Sequence, residues 1–318
     1  MLKQRLFTTI KILIFLVVCG WVGWELYKSW NKIQQVQWSP NYFLLTLSGI
    51  CYVAAYIPAA IYWRYAMQML GQQPGLYETF RAYYIGHLGK YVLGKAMVFI
   101  IRTGLLNHQR TKITAAGASV FLETMTMMMV GAFVAALIML LWFRQIEQGK
   151  WLMLLAFGTT AGTMLPILPP VFHFIAKQCR IELEGLTFKT LAIGWMLYIP
   201  LWMMLGVSLW LTILGFGIKS ESVLIELPFC TMAISLSVVA GFMSMIPGGF
   251  GVREFALVHM LVLFFTTHPI GAADPTIFAI AVAAVQRMIS VFAELVIAAM
   301  LSMKPKRPTP LQMERGVE

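Results

Sequence analysis

The residues of this sequence that could do chemistry are charged side chains lying inside long apolar stretches. A charged side chain at the centre of a bilayer costs at least ~2.5 kcal/mol, so it persists there only with a charged partner, water or a charged guest. Lysine offers a phosphate a point charge, and arginine can bind it through two parallel hydrogen bonds. Five cations are therefore predicted to bind a phosphate-bearing headgroup: Lys90, Lys95, Arg102, Arg253 and Arg287.

Three carboxylates accompany these cations. Glu123 and Glu294 each follow a broken segment by about one helix, and Glu254 lies next to Arg253. We expect Glu123 and Glu294 to face the interior of a helix bundle, and we predict that the three carboxylates either bind protons or balance the charge of the cations. The alternative is purely structural: Arg253 would pair with a glutamate, and Arg287 with Glu123, to hold the bundle together.

Two stretches of backbone carry helix-breaking residues between apolar runs. Proline lacks an N–H and glycine leaves peptide groups uncovered, so polar backbone groups lose their helical partners. Within a membrane, such backbone is tolerated only where protein buries it or a wet cavity reaches it. We expect both breaks to form part of a site, although a simple cytoplasmic turn is the alternative for the second one. The breaking residues are Gly94 in the first stretch and Pro247, Gly248, Gly249 and Gly251 in the second.

The elements that must position these residues are helices in a membrane. The 318 residues are 59% hydrophobic and only 12% charged, with a mean hydropathy of +0.77, which exceeds what one soluble core could bury. The formal charge of +11 lacks the interleaved aromatic residues of a nucleic-acid reader, so no nucleic-acid partner is predicted. The four cysteines lie singly and show no zinc or disulfide spacing. The predicted fold class is an all-α, polytopic helical membrane bundle with six to eight spans.

Apolar runs of about 20 residues or more predict the spans. An uncleaved first span is expected at residues 8–27, because no small-x-small cleavage site follows it. Residues 79–106 contain too many charges for an ordinary span, and a hairpin of two short helices meeting near residues 91–95 fits better. An amphipathic helix lying flat on the membrane surface is the alternative. Further spans are predicted at residues 42–63, 113–142, 151–176, 191–216 and 275–303.

Charge sets the predicted orientation. If both irregular regions are hairpins that return to their side of entry, cytoplasmic segments hold fifteen lysines and arginines and outer loops five, which places both termini in the cytoplasm. A single domain of residues 1–303, followed by a basic tail of 304–318, would then contain inverted repeats at 1–143 and 151–303. The two hairpins would enter from opposite faces and meet near the midplane. The competing count takes residues 227–246 and those after Glu254 as two full spans, giving eight crossings.

Three motifs carry a resemblance to a known family. Residues 91–95 with Arg102, residues 246–254, and Gln286 with Arg287 resemble the transmembrane domain of lysylphosphatidylglycerol synthases and its free-standing flippase-like relatives. The second motif is a close match, whereas the first has Leu93 where the family usually has proline. Since the sequence ends at Glu318, we expect a stand-alone member without the soluble aminoacyl-transferring domain. The resemblance implies movement of a phospholipid or lipid-linked headgroup between leaflets.

The sequence contains no ATP-binding loop, zinc spacing or nucleophile elbow. We therefore expect a lipid flippase-like transporter, without cofactor or metal, whose partners are anionic membrane lipids of a prokaryotic cytoplasmic membrane. One alternative is a membrane-embedded transferase that acts on a lipid carrier with a glutamate as base. Another is a membrane partner of a separate lipid or glycan synthase.

Overall fold

The structure is a computed structural model that describes residues 40–92, 95–106, 112–143, 150–179, 181, 183, 185–218, 221–267 and 274–303. These residues form helices and no strand, which confirms the predicted polytopic all-α membrane bundle. The predicted first span (residues 8–27), Gly94 and the basic tail (304–318) lie outside the described residues. The division into two repeats stays a prediction.

The helices follow the predicted apolar runs closely. Six helical segments of the described residues are long and apolar enough to cross a membrane, by length and composition, and two of these segments, Tyr42–Met69 and Pro247–Thr266, each combine two shorter elements. The predicted fourth span is divided by a 3₁₀ turn, Leu165–Ile167, because prolines interrupt it. In chain order the α-helices are α1 Tyr42–Ala55, α2 Ile57–Met69, α3 Leu76–His87, α4 Gly89–Val92, α5 Lys95–Leu106, α6 Ile113–Phe143, α7 Lys150–Met164, α8 Pro169–Gln178, α9 Phe188–Gly215, α10 Val223–Met243, α11 Val252–Thr267 and α12 Pro275–Ser302.

One end of the bundle, here called the basic end, gathers the end of α2 and the starts of α3, α6 and α9. The backbone N–H of Lys112 donates to the side chain of Gln72, and Thr190 donates to the sulfur of Met69. Arg81 of α3 donates to the backbone oxygen of Leu301, which brings the end of α12 to the same place. The chain therefore enters and leaves several helices at this end.

The opposite end gathers the remaining helix termini. The N–H of Asn41, before α1, donates to the carbonyl of Gly215 at the end of α9 over 2.8 Å. The indole of Trp210 donates to Glu226 in the first turn of α10. The Phe265 ring, at the end of α11, lies 6.5 Å from the ring of Phe278 in the first turn of α12. These contacts fix the direction of each helix relative to its neighbours.

Helices α3, α4 and α5 form the first hairpin, which starts and finishes at the basic end. Its two longer helices have 12 residues each, or about 18 Å, which is too short to cross a hydrocarbon core of about 30 Å. Thr79, Tyr83 and Arg102 of this hairpin are buried, with exposed fractions of 2% or less. Arg102 is buried against Glu123 of α6 rather than placed at a water-facing surface, which favours the hairpin over a helix lying flat on the membrane.

Helices α10 and α11 form the second hairpin, which starts and finishes at the opposite end. Length and composition alone class both arms as able to cross, so the contacts of the tip decide how deep the hairpin reaches. Glu254, in the first turn of α11, pairs with Arg287, the thirteenth of the 28 residues of α12. The tip therefore lies beside the middle of α12 rather than beside its end, as a re-entrant hairpin requires.

A buried polar network joins α1, α9 and α12 at the centre of the bundle. Ser48 contacts the hydroxyls of Ser208 and Thr212 at 3.0 and 2.9 Å. Gln286 donates to Ser208 over 3.0 Å and accepts from Thr212. All four side chains are 0–1% exposed, so these hydrogen bonds link three helices without the aid of solvent.

Candidate functional site

The tips of the two hairpins touch each other in the middle of the bundle, at a contact formed by Tyr91, Gly248, Glu254 and Arg287. Arg287 donates from Nη2 to the carbonyl of Gly248 over 3.0 Å, and its Nε lies 3.2 Å from Glu254 Oε1. The Arg287 guanidinium also lies 5.3 Å from the centre of the Tyr91 ring. We call this set of four residues the tip contact. It brings Tyr91 of the first hairpin against the second backbone break.

Glycine is needed at the second break for two physical reasons. Gly248, Gly249 and Gly251 have φ values of +64°, +66° and +81°, in the left-handed region that other residues rarely adopt. A Cβ at Gly249 would also lie 2.9 Å from the Cα of Gly241, so α10 and the break can approach closely only without a side chain. Glu254 accepts from the N–H of Gly251 over 2.7 Å and so caps α11.

Glu123 sits in a fully satisfied buried site. Its carboxylate pairs with Arg102 over 2.8 Å and accepts hydrogen bonds from the phenols of Tyr83 and Tyr198 at 3.0 and 3.3 Å. Thr124 donates to it over 3.1 Å. The Arg102 guanidinium in turn lies 4.0 Å from the centre of the Tyr83 ring. Both members of the pair are about 2% exposed, so this cluster fastens α3, α5, α6 and α9 to one another.

Glu294 belongs to a second cluster, which joins the two halves of the chain. Lys90 of α4 lies with Nζ 2.6 Å from Glu294 Oε1, and Tyr52 donates to the same oxygen. His87 Nε2 is 3.6 Å from that oxygen, and its ring packs on Tyr56 with centroids 4.6 Å apart. Glu294 is 3% exposed and faces the interior, as predicted.

The predicted structural pairing was wrong in its partners. Arg287 does not pair with Glu123 but with Glu254, which lies on the neighbouring α11. Glu123 pairs instead with Arg102, on the helix that precedes it in the chain. The reason is geometric, because the tip of the second hairpin reaches Arg287 while the first hairpin delivers Arg102 to α6.

Arg253 differs from the other cations near the tips. It is only 8% exposed, yet it forms no ion pair or hydrogen bond with any of the described residues. A buried guanidinium has five N–H donors and is costly without acceptors. Its side chain borders a cavity, so a molecule in that cavity can accept hydrogen bonds from these donors.

The cavity has a volume of about 800 Å³ and lies between the first hairpin, α6 and the tip of the second hairpin. One part of its lining is polar or charged, and the other part is apolar and rich in methionine and phenylalanine. The polar lining comprises Tyr56, Tyr83, His87, Lys90, Arg102, Thr114, Glu123, Thr124 and Arg253. The apolar lining includes Phe99, Phe121, Met125, Met127, Met128, Phe242 and Met245.

The cavity gathers only some of the predicted site residues. Lys90, Arg102, Glu123 and Arg253 line it, together with Gly248 and Gly249. Three of the predicted residues do not line the cavity. Arg287, which pairs with Glu254, bonds to the lining residue Gly248, and Glu294 bonds to the lining residue Lys90. The Lys95 side chain lies outside the described part of the chain. No group of His, Cys, Asp or Glu side chains suited to a metal ion occurs among the described residues.

Sequence reasoning missed the tyrosines that hold the glutamates. Tyr52, Tyr83 and Tyr198 are 0–1% exposed, and each donates its phenol to a buried carboxylate. A tyrosine in the middle of an apolar run, away from the interfacial belt, was the available signal. Such a phenol needs an acceptor inside the bundle, since lipid offers none.

One family model matches the sequence over almost its whole length. The model describes the lysylphosphatidylglycerol synthase TM region, and it matches residues 8–298. No curated protein matches the sequence. The matched range contains both hairpins and every described residue that lines the cavity.

Proposed function

The chain belongs to the lysylphosphatidylglycerol synthase TM-region family, and from that premise we propose that it moves a lipid with an anionic headgroup between the two leaflets of a membrane. Membership indicates a lipid-related function in a membrane. The movement of a lipid between leaflets is our proposal. The observation that carries it is Arg253, a buried cation that lies at the wall of the cavity and has no partner among the described residues.

An anionic headgroup supplies what Arg253 lacks. A phosphate has two or more oxygens that can accept parallel hydrogen bonds from one guanidinium, and its charge offsets that of the arginine. Lys90 can assist at the same site. Its ammonium group has three N–H donors, and Glu294 accepts from it, but the Lys90 side chain is still 20% exposed and borders the cavity. We propose that Arg253 binds the headgroup and that Lys90 assists it.

The apolar part of the lining suits the hydrocarbon part of such a ligand. Val98 and Phe99 of α5 border the cavity from one side. Val238 and Phe242 of α10, with Met245 just past its end, border it from another. Methionine side chains are flexible and adapt to chains of irregular shape. The cavity thus accommodates an amphiphile whose headgroup lies at Arg253 and whose tails extend past methionine and phenylalanine.

The two glutamate clusters have a supporting role in this proposal. Arg102 and Glu123 neutralise each other and hold α5 against α6, so that the wall of the cavity keeps its shape. Glu294 balances Lys90 and joins the first hairpin to α12. Of the two readings of the carboxylates, the balancing of charge is therefore the one that these contacts favour.

The test is the exchange of a fluorescent phosphatidylglycerol between leaflets of vesicles that contain the purified protein. Arg253→Ala removes a charge-assisted contact worth ~1.5–3 kcal/mol, so exchange should slow by about tenfold or more. Arg253→Lys keeps the charge without the paired geometry and should give an intermediate rate. Arg81→Ala is the matched control, because Arg81 bonds to Leu301 at the basic end and does not border the cavity.

The expected pattern is a rate that falls from wild type through Arg253→Lys to Arg253→Ala, with Arg81→Ala unchanged. Exchange at the same rate in wild type, Arg253→Ala and protein-free vesicles would refute the proposal.

The transferase alternative finds less support in the geometry. Glu123 is the one carboxylate among the described residues that lines the cavity, and four donors already engage it. A general base needs a carboxylate that is free to accept a proton from the substrate. No observation on the described residues favours a role as the membrane partner of a separate synthase, which copurification would reveal.

The proposed orientation follows from charge. Five described lysines and arginines lie near the basic end: Arg64, Arg81, Lys112, Lys177 and Lys189. Of the described lysines and arginines outside the cavity and the tip contact, Lys150, at the start of α7, lies at the opposite end. By the positive-inside rule we propose that the basic end faces the cytoplasm. A prokaryotic cytoplasmic membrane and cytoplasmic termini remain part of this proposal.

A further inference from the structure

The cavity occupies only one half of the bundle. On α6 its lining runs from Thr114 to Met128, the half that starts at the basic end. On α10 it runs from Val238 to Phe242, and Met245 and Ile246, just past the end of this helix, continue the lining to the hairpin tip. Among the described residues, none from the other halves of these two helices borders the cavity. The cavity therefore extends from the basic end to the tip contact and stops there.

The tip contact forms the inner end of this cavity. Gly248 borders the cavity and also accepts the hydrogen bond from Arg287, whose guanidinium lies between the rings of Tyr91 and Phe250 at 5.3 and 4.9 Å. A Cβ at Gly248 would lie 3.0 Å from Tyr91 and 3.2 Å from Arg287. A methyl group at Gly248 would therefore crowd both side chains, so the second tip packs directly on Tyr91 and Arg287.

We propose that the tip contact is a gate, closed in this structure, between the cavity and the opposite end of the bundle. This inference rests on the proposed function, because a lipid headgroup that enters from the basic end must pass the tips to reach the other leaflet. Arg287 is the latch: it bonds to the second tip through Gly248 and Glu254 and packs on Tyr91 of the first. Opening requires Arg287 to release Gly248.

The same residues explain how the gate can move as a unit. Glu254 Oε1 faces Arg287, while Glu254 Oε2 accepts from Gly251 at the start of α11. A shift of Arg287 is therefore passed to the glycine-rich backbone, whose left-handed residues can change conformation at low cost. Arg253 lies next to Glu254, so the headgroup site and the gate share one helical turn.

The test is labelling of a cysteine in the cavity with a membrane-impermeant thiol reagent applied to either side of sealed vesicles. The reporter is Val238→Cys in a background whose four native cysteines are replaced by alanine. Lys112→Cys and Glu221→Cys, which are exposed at the basic and opposite ends, establish which side each end faces. No lipid ligand is needed, so the result is independent of the exchange assay.

In the parent, the cysteine-free background that carries Val238→Cys alone, the reporter should react only from the side on which Lys112→Cys reacts. Arg287→Ala removes the latch, and the rate of labelling from the other side should rise by about tenfold, as expected for the loss of a charged hydrogen bond. Arg81→Ala is the matched control, since it removes a cation that bonds to Leu301 at the basic end, away from the tip contact, and labelling should stay one-sided. If Arg287→Ala does not fold, Glu254→Gln weakens the latch and should raise labelling in the same direction.

Two results would overturn the gate. One is labelling of the parent from both sides, which would mean that the tips do not close the cavity. The other is labelling that stays one-sided in a folded Arg287→Ala or Glu254→Gln protein. The two proposals can fail separately. The lipid proposal is tested by whether exchange depends on Arg253, and the gate is tested by the labelling alone.

Discussion

Replacing two buried arginines, Arg102 and Arg253, by methionine should have opposite consequences for the stability and the function of this protein. Both are almost fully buried, and methionine fills a similar elongated space without charge. They differ in their partners, because Arg102 pairs with Glu123 over 2.8 Å whereas Arg253 has no ion pair or hydrogen bond with the described residues.

The expected magnitudes follow from that difference. Arg102→Met leaves the Glu123 carboxylate buried without its cation, and breaking a buried pair in this way costs ~3–5 kcal/mol. Arg253→Met removes a cation that forms no ion pair or hydrogen bond with the described residues, so the free energy of unfolding should change by less than about 1 kcal/mol or increase. Lipid exchange should nevertheless fall with Arg253→Met, which would make Arg253 a residue kept for function at no gain in stability.

The assay is reversible unfolding of each variant in mixed micelles, followed by tryptophan fluorescence. Adding Glu123→Gln to Arg102→Met removes the orphaned charge and should recover about 2 kcal/mol or more of the loss, a coupling that identifies the pair as the cause. Equal destabilisation by Arg102→Met and Arg253→Met would refute the reasoning, because it would show that Arg253 also has a partner in the folded protein.

Two further substitutions test how the helices pack. Gly206→Val should destabilise the bundle by ~1–3 kcal/mol, because a Cβ there would lie 2.8 Å from the Cα of Thr231 and would force α9 and α10 apart. Thermal unfolding measures the effect, and an unchanged midpoint would contradict this contact. Gln286→Leu should cost ~0.6–2 kcal/mol, because two buried hydroxyls lose their partner on α12; the same unfolding assay applies, and a gain in stability would show that the network is dispensable.

Much of the fold was predictable from the sequence because membrane helices are set by length. Apolar runs located α1–α2, α6, α9 and α12 to within a few residues of their observed bounds, except at the end of α2, which reaches Met69 rather than Trp63. The extra residues include Arg64, whose charge marks the end of the apolar run but not of the helix. A helix continues past the lipid where its backbone remains hydrogen-bonded.

The interior of the site was predictable in kind but not in detail. Charges in apolar runs correctly indicated that Glu123 and Glu294 face inward, and the glycines indicated where the backbone breaks. The partners could not be predicted, since they depend on how each helix is rotated and on which helix lies next to it. Glu254 and Arg253 are neighbours in sequence, yet one contacts Arg287 and the other borders the cavity.

The meeting of the hairpins has a consequence for biogenesis. When only the helices up to α6 have been inserted, the tip of the first hairpin does not yet have Gly248 packed against Tyr91. The carbonyl of Gly248 in turn gains its guanidinium donor, Arg287, only when α12 is inserted. The Gly248 contact is complete only when α12 has entered, so the lipid-incompatible backbone of the second half stays unprotected until α12 has been translated. Truncations between α11 and α12 should therefore be removed by membrane proteases, while the full chain persists.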